Sequence, residues 1–483
     1  MAGPRLDTDV VVVGGGPAGL MLAGELRLGG ADVVVLETRE APTTESRAST
    51  LHARTMELLD SRGLLEVFGT PPHELRGHFG GIPLDLTLPS THPGQWKVPQ
   101  TETERLLQDW SADLGASILR RHTLRALRTS SEGVEAVAAG PDGPLRIRSA
   151  YLVACDGENS TVRRLLDADF PGEDATRELL RADVAGIDVP DRRFQRLEHG
   201  MAVAARRPDG VTRVMVHEFG RPAELRTGEP DFKEVCEVWH RVTGEDITQG
   251  TPQWVNAFGD ANRQLASYRH DRVLFAGDAA HRQMPIGGQA LNLGLQDAMN
   301  LGWKLAAVTT GRAPHTLLDT YATERHEVGR RVLANIRIQS QLLLGGPESR
   351  STRSLFQELV PYETVRTHLA SMIAGLDITY GDEGSRLPEL RLRVDGRART
   401  STELLRRARP LLLLLTPEAT AFAAEAAPWS DYVTPVTATT DALPGTTALL
   451  LRPDAHLAWT SPGPAPLPET LTRWFGPPAP AAA

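Results

Sequence analysis

The residues from 277 to 292, GDAAHRQMPIGGQALN, combine an acid, a proline and two adjacent glycines in one short loop. The apolar run 273–276 before them predicts a strand that ends next to Asp278, whose carboxylate could bind sugar or ribityl hydroxyls. A helix predicted over 291–308 follows. Its N-terminus, near residues 289–292, can stabilise negative charge on a bound ring. The loop therefore predicts contact with a large anionic cofactor.

A second glycine-rich turn, GGGPAG at residues 14–19, follows the β-branched run 9–13. A helix expected over 20–28 and an apolar run ending at Glu37 complete a strand–turn–helix–strand unit. Its first glycine permits the turn, the second lets backbone approach a pyrophosphate, and the third lets helix and strand pack closely. Glu37 can bind ribose hydroxyls, which favours FAD or NAD over NADP. The alternative is a glycine-rich turn in an ordinary βαβ unit.

A third turn lies in AYLVACDGENSTVRRLL, residues 150–166. The pattern predicts a strand over 151–154, a turn at Asp156 and Gly157, and a helix from Ser160 with Arg163 and Arg164 in its first turns. Taken alone, it is a strand–turn–helix with Ser160 near the N-cap. Because the loop at 277 also places a Gly and an Asp side by side after an apolar strand, we interpret both turns as contacts to one cofactor.

The composition limits the classes of function. The chain has 483 residues, 41% hydrophobic and 23% charged, with 44 Gly and 35 Pro, which suits a loop-rich α/β protein of several domains. A formal net charge of −9 without a Lys/Arg block argues against nucleic-acid binding. Cys155 and Cys236 have no metal-ligand spacing, so neither a metal site nor a disulfide framework is expected. The sequence shows no signal-peptide or membrane-span pattern, and we expect a soluble cytoplasmic protein.

The three motifs together resemble the FAD-dependent aromatic hydroxylases, the single-component flavoprotein monooxygenases. SRASTLHARTMELLDSRGL (46–64) and VPQTETERLL (98–107) are similar to this family. GHFGGIPLDL (77–86) and GLDITY (375–380) are similar to its bacterial members that tailor aromatic polyketides. The resemblance covers about residues 8–385. It departs at Ala290, where the family usually has glycine, and the methyl group there would crowd the pyrimidine edge of the flavin.

The resemblance implies a set of site residues. Arg47, Pro285 and Gly288 are expected to serve catalysis, Arg54 to open a helix, and Arg47 or Arg163 to dock the nicotinamide. The expected substrate pocket consists of His78, Phe79, Gly80 and Gly81, with core packing as an equal alternative for the first two. The residues expected to contact FAD are Gly14, Gly16, Pro17, Ala18, Gly19, Glu37, Thr38, Arg39, Arg47, Gln100, Asp156, Gly157, Gly277, Asp278, Pro285, Gly287, Gly288, Gln289, Ala290, Leu291 and Asn292.

The resemblance also implies an α/β architecture with a discontinuous, Rossmann-like FAD-binding domain at 1–75, 98–172 and 263–345. A β-sheet substrate domain, 76–97 and 173–262, would join the stretch 78–88 to alternating strands such as MAVAARRPDGVTRVMVHEF in one lid. A helical connector, 346–389, would lead to a thioredoxin-like domain, 390–483, which lacks cysteines and is interpreted as structural or dimer-forming.

The activity implied by the resemblance is oxygenation of an aromatic polyketide. NADPH or NADH would reduce FAD, O2 would add at the flavin C4a, and the hydroperoxide would transfer one oxygen atom to the substrate. Baeyer–Villiger oxygenation of a polyketide ketone and a non-enzymatic flavin-binding regulatory protein remain alternatives. Among other conspicuous residues, His281 is expected to make a structural hydrogen bond or to be exposed, with a catalytic base as the alternative. Trp303 is expected to pack in the core and Tyr268 to be a surface ring.

Overall fold

The computed structural model describes residues 5–44, 48–224, 226, 228–381 and 384–478, and its fold is mixed α/β, as expected. The α-helices are α1 (Pro17–Leu28), α2 (Ala53–Asp60), α3 (Leu65–Phe68), α4 (Gln100–Asp113), α5 (Thr161–Leu165), α6 (Phe232–Thr243), α7 (Gln289–Thr309), α8 (Leu317–Leu344), α9 (Arg350–Leu359), α10 (Glu363–Ala374), α11 (Ser401–Leu404), α12 (Thr420–Ala426) and α13 (Leu467–Phe475).

The strands are short and numerous. They are β1 (Arg5–Val13), β2 (Val33–Glu37), β3 (Leu51–His52), β4 (His73–Glu74), β5 (Arg76–Phe79), β6 (Ile82–Asp85), β7 (Gln95–Trp96), β8 (Ser117–Arg120), β9 (Thr123–Ser130), β10 (Gly133–Gly140), β11 (Gly143–Ala154), β12 (Gly172–Glu173), β13 (Glu178–Ala185), β14 (Arg192–Arg196), β15 (Gly200–Arg206), β16 (Val211–Glu218), β17 (Thr251–Gly259), β18 (Asn262–Gln264), β19 (Arg269–His270), β20 (Val273–Phe275), β21 (His281–Arg282), β22 (Thr379–Tyr380), β23 (Gly384–Ser385), β24 (Arg391–Val394), β25 (Arg397–Thr400), β26 (Leu411–Leu414), β27 (Thr434–Thr437), β28 (Ala448–Leu451) and β29 (Leu457–Ser461).

The largest sheet has the order β19-β20-β11-β1-β2-β8, and β10 and β9 extend it from β11. Strand β1 is parallel to β2 and β11, β20 is parallel to β11, and β8 is parallel to β2. Val10, Val11 and Val12 are fully buried, as expected for a β-branched run in a parallel sheet covered on both faces. Because parallel strands end at the same edge, the loops after β1, β2, β11 and β20 lie together.

Helix α7 packs along α1 on one face of this sheet. The contact is close because Gly302 faces Glu25: a Cβ at Gly302 would lie 2.3 Å from the Cβ of Glu25. Helix α7 starts at Gln289, two residues earlier than predicted, and α1 starts at Pro17 rather than at residue 20. Both helices therefore begin immediately after their glycine turns, and their N-termini reach the sheet edge.

The second sheet is antiparallel, with the order β14-β15-β16-β13-β17, and includes the predicted alternating strands as β15 and β16. Helix α6 covers one face through the fully buried Trp239. On the other face, Met201 and Val203 pack against Met284 and Ile286 of the loop that precedes α7. This sheet therefore covers the loop at which α7 begins.

The stretch 76–85 forms a separate hairpin, β5 and β6. The prediction that it joins the lid sheet is wrong, since no ladder links it to β13–β17 in the described residues. Its buried side chains Phe79, Ile82 and Leu84 face helices α8 to α10 instead, and the Phe79 ring stacks on Phe356 at a centroid distance of 5.6 Å. The hairpin pairs with helices because its apolar side chains alternate toward them.

The C-terminal residues carry a four-stranded sheet in the order β27-β26-β28-β29. The run LLLL forms its fully buried strand β26. Trp303 of α7 is buried and lies near Trp474 and Phe475, so its predicted core role is confirmed. Helix α7 thus reaches from the edge of the parallel sheet to the C-terminal sheet.

Tyr268 is fully buried, and the prediction of a surface ring is wrong. The ring enters the space beside α8, where Gly329 makes room: a Cβ there would lie 2.4 Å from the Tyr268 hydroxyl. Gln264 Nε2 donates to that hydroxyl at 2.9 Å. The polar neighbours of Tyr268 in sequence gave no sign of this packing. Within the described ranges, none of the helices is both long and apolar enough to cross a bilayer.

Candidate functional site

Three turns meet at the carboxyl edge of the parallel sheet. Gly14 follows β1 and lies against the turn after β11, since a Cβ on Gly14 would stand 2.2 Å from the Cys155 carbonyl oxygen. Gly277 follows β20 and lies against α1, where its Cβ would be 3.2 Å from that of Ala18. The structure therefore brings together the three motifs that the sequence singled out.

The three motif glycines have different roles. Gly14 has a φ of +107°, and a Cβ on Gly19 would lie 2.0 Å from the Gly14 carbonyl oxygen, so both are required by packing. A Cβ on Gly16 would meet no described heavy atom within 4 Å. Gly16 is the N-cap of α1 and has no side chain to satisfy the first amides of the helix. The open space and the free amides form a cradle for a phosphate group.

Glu37 holds this turn from the next strand. Its Oε2 accepts from the Gly15 amide at 2.8 Å and its Oε1 from the Arg39 amide at 2.7 Å. Sequence reasoning missed Glu104 of α4, which is buried and has no described partner for Oε2. Burial raises the pKa of Glu104, while nearby Arg39 opposes the rise. A sugar hydroxyl or a water would satisfy this oxygen.

Asp156 has a double function at the second turn. Its Oδ2 accepts from the amides of Thr161 and Val162 at 2.6 and 3.1 Å, which caps α5 together with Ser160. Its Oδ1 is buried and has no partner among the described residues. Gly157 has a φ of +78°, which the turn requires. The N-cap interpretation is therefore correct, and one carboxylate oxygen remains for a ligand.

The third turn is held by Asp297, which the sequence analysis did not identify. Asp297 Oδ2 accepts from the Gly277 amide at 3.1 Å and from His281 Nε2 at 2.8 Å, and Arg325 Nε donates to its Oδ1 at 2.7 Å. All three side chains are fully buried. Burial opposes charge on Asp297, but Arg325 and His281 outweigh it and lower its pKa. His281 thus makes a structural hydrogen bond, as predicted.

Asp278 differs from Asp297 because its side chain is exposed within the cleft. No hydrogen bond from another described residue reaches its carboxylate. Desolvation by the surrounding protein is the main cause of its raised pKa. Asp278 thus lies where the three glycine turns meet, and its carboxylate oxygens are free of hydrogen bonds from described residues. It is well placed to accept hydrogen bonds from ligand hydroxyls.

The loop before α7 uses two left-handed glycines, Gly287 with a φ of +65° and Gly288 with a φ of +70°. Gly288 is the N-cap of α7 and has no side chain, so the first amides of this 21-residue helix carry no cap. Pro285 precedes the short 3₁₀ turn Ile286–Gly288. Ala290 and Leu291 follow in the first turn of α7 and are half-buried. This helix end can stabilise a negative charge.

Asn292 and His52 fix that helix end in place. Asn292 Oδ1 accepts from the His52 amide at 2.8 Å, and its Nδ2 donates to the carbonyls of Gly288 and Thr50 at 2.7 and 3.0 Å. His52 Nε2 donates to the Gly287 carbonyl at 2.7 Å. Burial lowers the pKa of His52 to about 4 and keeps the ring neutral. Asn292 therefore acts on the loop rather than directly on a ligand, and His52, within the stretch 46–64, was missed.

A chain of amides links this loop to the β5–β6 hairpin. Asn335 Nδ2 donates to Gln289 Oε1 at 3.2 Å, Gln339 Nε2 donates to Asn335 Oδ1 at 3.1 Å, and the Gly80 amide donates to Gln339 Oε1 at 3.2 Å. Gln289 Nε2 is buried without a described partner. Gly80 is thus connected to Gln289 through two side chains of α8, those of Gln339 and Asn335.

A cavity open to solvent lies beside the first turns of α7. Its lining combines amide side chains with apolar ones from α8, α10 and the following loop: Gln289, Asn292, Leu293, Gln296, Val328, Arg331, Val332, Asn335, Met372, Ile373, Gly375, Asp377 and Ile378. None of the predicted pocket residues His78–Gly81 forms its wall. Phe79 belongs to the core instead, and His78 lies over Phe194 with ring centroids 4.1 Å apart.

Three other predicted residues remain. Arg47 lies outside the described residues, and the other two are placed by the structure. Gln100 begins α4, and its amide donates to the Ala48 carbonyl at 2.8 Å. Arg163 Nη1 donates to the Ala279 carbonyl at 3.1 Å, and its guanidinium lies 4.0 Å from the centre of the Phe170 ring. Arg163 therefore links the second and third turns. Because its guanidinium makes these contacts, fewer of its N–H groups are free to bind a nicotinamide.

The comparisons with known proteins agree with this site. A family model described as FAD binding domain matches residues 7–336, and one described as Aromatic-ring hydroxylase, C-terminal, matches residues 381–478. The chain belongs to the FAD-dependent aromatic hydroxylases. This hydroxylase is 41% identical to 12-dehydrotetracycline 5-monooxygenase/anhydrotetracycline 6-monooxygenase of Streptomyces rimosus, over 98% of its own length and 99% of the relative's.

Two further matches span nearly the whole hydroxylase. The rifampicin monooxygenase of Streptomyces venezuelae is 41% identical over 97% of this chain and 98% of its own. The solved structure of CabE, an aromatic hydroxylase from angucycline biosynthesis, matches with a TM-score of 0.94 and 47% identity, covering 98% of this chain and all of CabE. The predicted FAD-dependent monooxygenase activity is confirmed at the level of the family.

The residues of the cleft fit FAD. The Gly16 cradle and the N-terminus of α1 can hold the pyrophosphate, and Asp278 can accept from hydroxyls of the ribityl chain. Glu104 and Asp156 each offer one buried, unpartnered oxygen. The uncapped N-terminus of α7 suits the ring, on which negative charge develops during reduction.

The unequal roles of the motif glycines predict opposite phenotypes. We expect Gly16→Ala to leave the melting temperature of the apoprotein unchanged, because the added Cβ meets no protein atom, and to weaken FAD binding by roughly tenfold or more through lost phosphate contacts. Gly19→Ala should lower the melting temperature, because its Cβ would clash with the Gly14 carbonyl. Calorimetry and FAD titration measure both. Equal destabilisation by the two variants would contradict this assignment.

The free carboxylate of Asp278 predicts a cofactor phenotype without a folding phenotype. Asp278→Asn should weaken FAD binding by roughly ten- to a hundredfold, the equivalent of about 1.5–3 kcal/mol for a charged hydrogen bond. Its apoprotein should unfold like the wild type. The matched control is Asp271→Asn, because Asp271 is an exposed acid before the start of β20. This variant should bind FAD normally. Wild-type FAD affinity in Asp278→Asn would remove this residue from the site.

Buried histidines predict a loss of stability in acid. Burial lowers the pKa of His52, His78 and His456 to about 4 from an ordinary 6.5. Between these values the unfolded chain binds more protons, so the unfolding free energy should fall as pH drops from 6.5 toward 4, by about 1.4 kcal/mol per histidine and pH unit. Urea unfolding at several pH values measures this slope. His456→Gln should flatten it, whereas His315→Gln, at an exposed site, should not.

Proposed function

We propose that this hydroxylase inserts one oxygen atom of O2 into an aromatic polyketide, with NADPH or NADH as the reductant. The observation that carries the proposal is the cavity at the N-terminus of α7. Its wall combines apolar side chains with a few amide groups, the composition typical of small-molecule sites. The names of the similar enzymes, which refer to tetracycline, rifampicin and angucycline chemistry, support a polycyclic aromatic substrate.

The cavity wall suits a flat, oxygen-bearing ring system. Leu293, Val328 and Ile378 offer apolar surface to aromatic rings. The amides of Gln289 and Gln296 can exchange hydrogen bonds with phenol and carbonyl groups, and Gln289 Nε2 has a free donor among the described contacts. Such a wall orients a polyketide by a few polar contacts and holds it by apolar burial.

Bound FAD would supply the redox chemistry by taking a hydride from the nicotinamide and using O2 to oxygenate the substrate. The chain itself supplies electrostatics and dryness. The first amides of α7 stabilise negative charge on the reduced ring. His52 and Asn292 hold those amides in position, and Met201 and Val203 cover the loop and exclude water.

The catalytic assignments belong to this proposal. Pro285 and Gly288 shape the loop that places the helix end against the ring, the first by starting the 3₁₀ turn and the second by its left-handed conformation. Arg47 is proposed to contact the flavin. Hydroxylation is favoured over Baeyer–Villiger insertion because the similar CabE is named an aromatic hydroxylase. It is favoured over a regulatory role because similar enzymes are named monooxygenases.

The experiment is substrate-stimulated NADPH oxidation under ¹⁸O2 with a panel of tetracyclic aromatic polyketides. We expect consumption of NADPH to rise with substrate and a product that carries one ¹⁸O as an aromatic or ring hydroxyl. NADH in place of NADPH gives the reductant preference. A lactone product would replace hydroxylation by Baeyer–Villiger chemistry, and substrate-independent NADPH oxidation with every polyketide would refute the substrate class.

A cavity variant tests where the substrate lies. Val332→Phe would fill part of the cavity and should raise the KM for the polyketide at unchanged FAD affinity. Ile338→Phe lies on the same helix, α8, but at an exposed position, and serves as the matched control with wild-type KM. Equal KM values for both variants would place the substrate elsewhere while leaving the monooxygenase activity intact.

A further inference from the structure

The turn that carries Asp278 is connected to the C-terminal sheet by an unbroken series of contacts. Asp297 binds the Gly277 amide and is paired with Arg325 of α8. Arg325 Nη1 then donates to the Tyr380 hydroxyl at 3.0 Å. The Tyr380 ring lies on the His456 ring with centroids 4.3 Å apart. The Gly277–Asp278 turn is therefore connected to the loop between β28 and β29 through three side chains, those of Asp297, Arg325 and Tyr380.

The C-terminal end of this series is a second buried cluster of charges. Arg452 pairs with Glu324 of α8 through two bonds of 2.7 and 2.9 Å and with Asp454. The Asp454 carbonyl accepts from Arg54 Nη2 at 2.7 Å. Arg452 also lies 5.0 Å from the centre of the Tyr380 ring. The C-terminal loop thus grips α2, α8 and Tyr380 with charged groups that are removed from water.

A buried cluster of this kind adds little net stability, because desolvation offsets the attraction between the charges. It does fix relative positions, since displacement of one partner leaves an unpaired buried charge. Gly277, with a φ of +64°, has no side chain of its own that could hold its turn. A rigid cluster joined to such a turn is suited to hold it in one conformation.

A small cavity lies between Tyr380 and the charged cluster, lined by Arg54, Leu58, Gln296, Met299, Asn300, Ile378, Tyr380, Asp454 and His456. His456 Nε2 is buried and has no partner among the described residues. The Tyr380 hydroxyl and ring therefore connect Arg325, and through it the Gly277–Asp278 turn, with the loop between β28 and β29.

We propose that the C-terminal region, residues 384–478, is a working part of the flavin site and that Tyr380, which precedes this region in the chain, is the positioning residue that connects the two. Through Arg325 and Asp297 it keeps the Gly277–Asp278 turn in the conformation that binds FAD. This inference rests on the flavin site and is independent of the substrate proposed above, so a wrong substrate class would leave it untouched. Asp297 and Arg325 are positioning residues on the same path.

The test compares Tyr380→Phe with Arg62→Met. Tyr380→Phe removes the hydroxyl that accepts from Arg325 and keeps the ring that lies on His456. Arg62 is an equally buried anchor of the C-terminal region: it pairs with Glu25 and donates to the carbonyls of Leu405 and Pro453. In the described structure Arg62 touches no cofactor turn, so Arg62→Met reports general loosening of the C-terminal region.

Three readouts are measured on purified full-length protein: the Kd of FAD, the absorption spectrum of the bound flavin, and amide hydrogen exchange of residues 273–284 without FAD. Tyr380→Phe should raise the Kd about fivefold or more, shift the spectrum and speed exchange at the turn. Arg62→Met should lower the melting temperature with the three readouts unchanged. Arg325→Lys keeps the charge but loses the guanidinium that joins Asp297 to Tyr380, so its effect on the three readouts should be at least as large as that of Tyr380→Phe.

Two results would overturn the proposal. In the first, Tyr380→Phe binds FAD and exchanges its amides as the wild type does. In the second, Arg62→Met alters FAD binding and exchange at the turn as much as Tyr380→Phe does, which would make the C-terminal region a source of general stability only. Because Tyr380→Phe removes a single oxygen atom and no ring, a folding failure does not obscure the comparison.

Discussion

The close approach of Gly14 to the backbone of Cys155 is the constraint on which the rest of the site depends. A Cβ at Gly14 would overlap the Cys155 carbonyl, so the turns after β1 and β11 can meet only with glycine there. The contact brings the N-termini of α1 and α5 to the same edge of the sheet. Gly277 and Ala18 then bring the third turn to the same place. The cleft is thus defined by backbone contacts before any ligand is considered.

Helix α7 connects this edge of the sheet to the C-terminal sheet. The loop before its first residue lies at the cofactor cleft, Asp297 in its third turn binds the Gly277 amide, and Trp303 packs under the C-terminal sheet. Polar side chains buried along one helix would be costly if they were unpaired. Here Asn292, Asp297 and Lys304 each have partners, so the helix is both buried and specific in its position.

The sequence predicted those parts of the site that depend on local patterns. Glycine spacing and β-branched runs located the three turns, and their meeting follows from the parallel strand order. The positions of Asp297 and His52 could not be predicted, because their roles depend on partners that are far away in the chain. Asp297, for instance, lies within an ordinary helical pattern, and its partners Gly277 and Arg325 are 20 and 28 residues away.

The errors have the same origin. Tyr268 is surrounded by polar residues in sequence, yet its ring is buried because Gly329, on α8, makes room for it. The stretch 76–85 alternates as an edge strand of a sheet would, but its apolar side chains pack against α8 to α10. In both cases a helix distant in sequence decided which surface was covered. Patterns within one segment cannot contain that information.

Ala290 illustrates how one departure from a family pattern can be judged from geometry. Gly287 and Gly288 supply the positive φ values that the loop needs, and Ala290 follows them within the regular first turn of α7. In such a position alanine is favoured over glycine by about 1 kcal/mol. The protein backbone therefore has no need of glycine at 290, and only the approach of a ligand to the helix end could require it. The methyl group favours the helical conformation of the first turn, whose uncapped amides can stabilise developing charge.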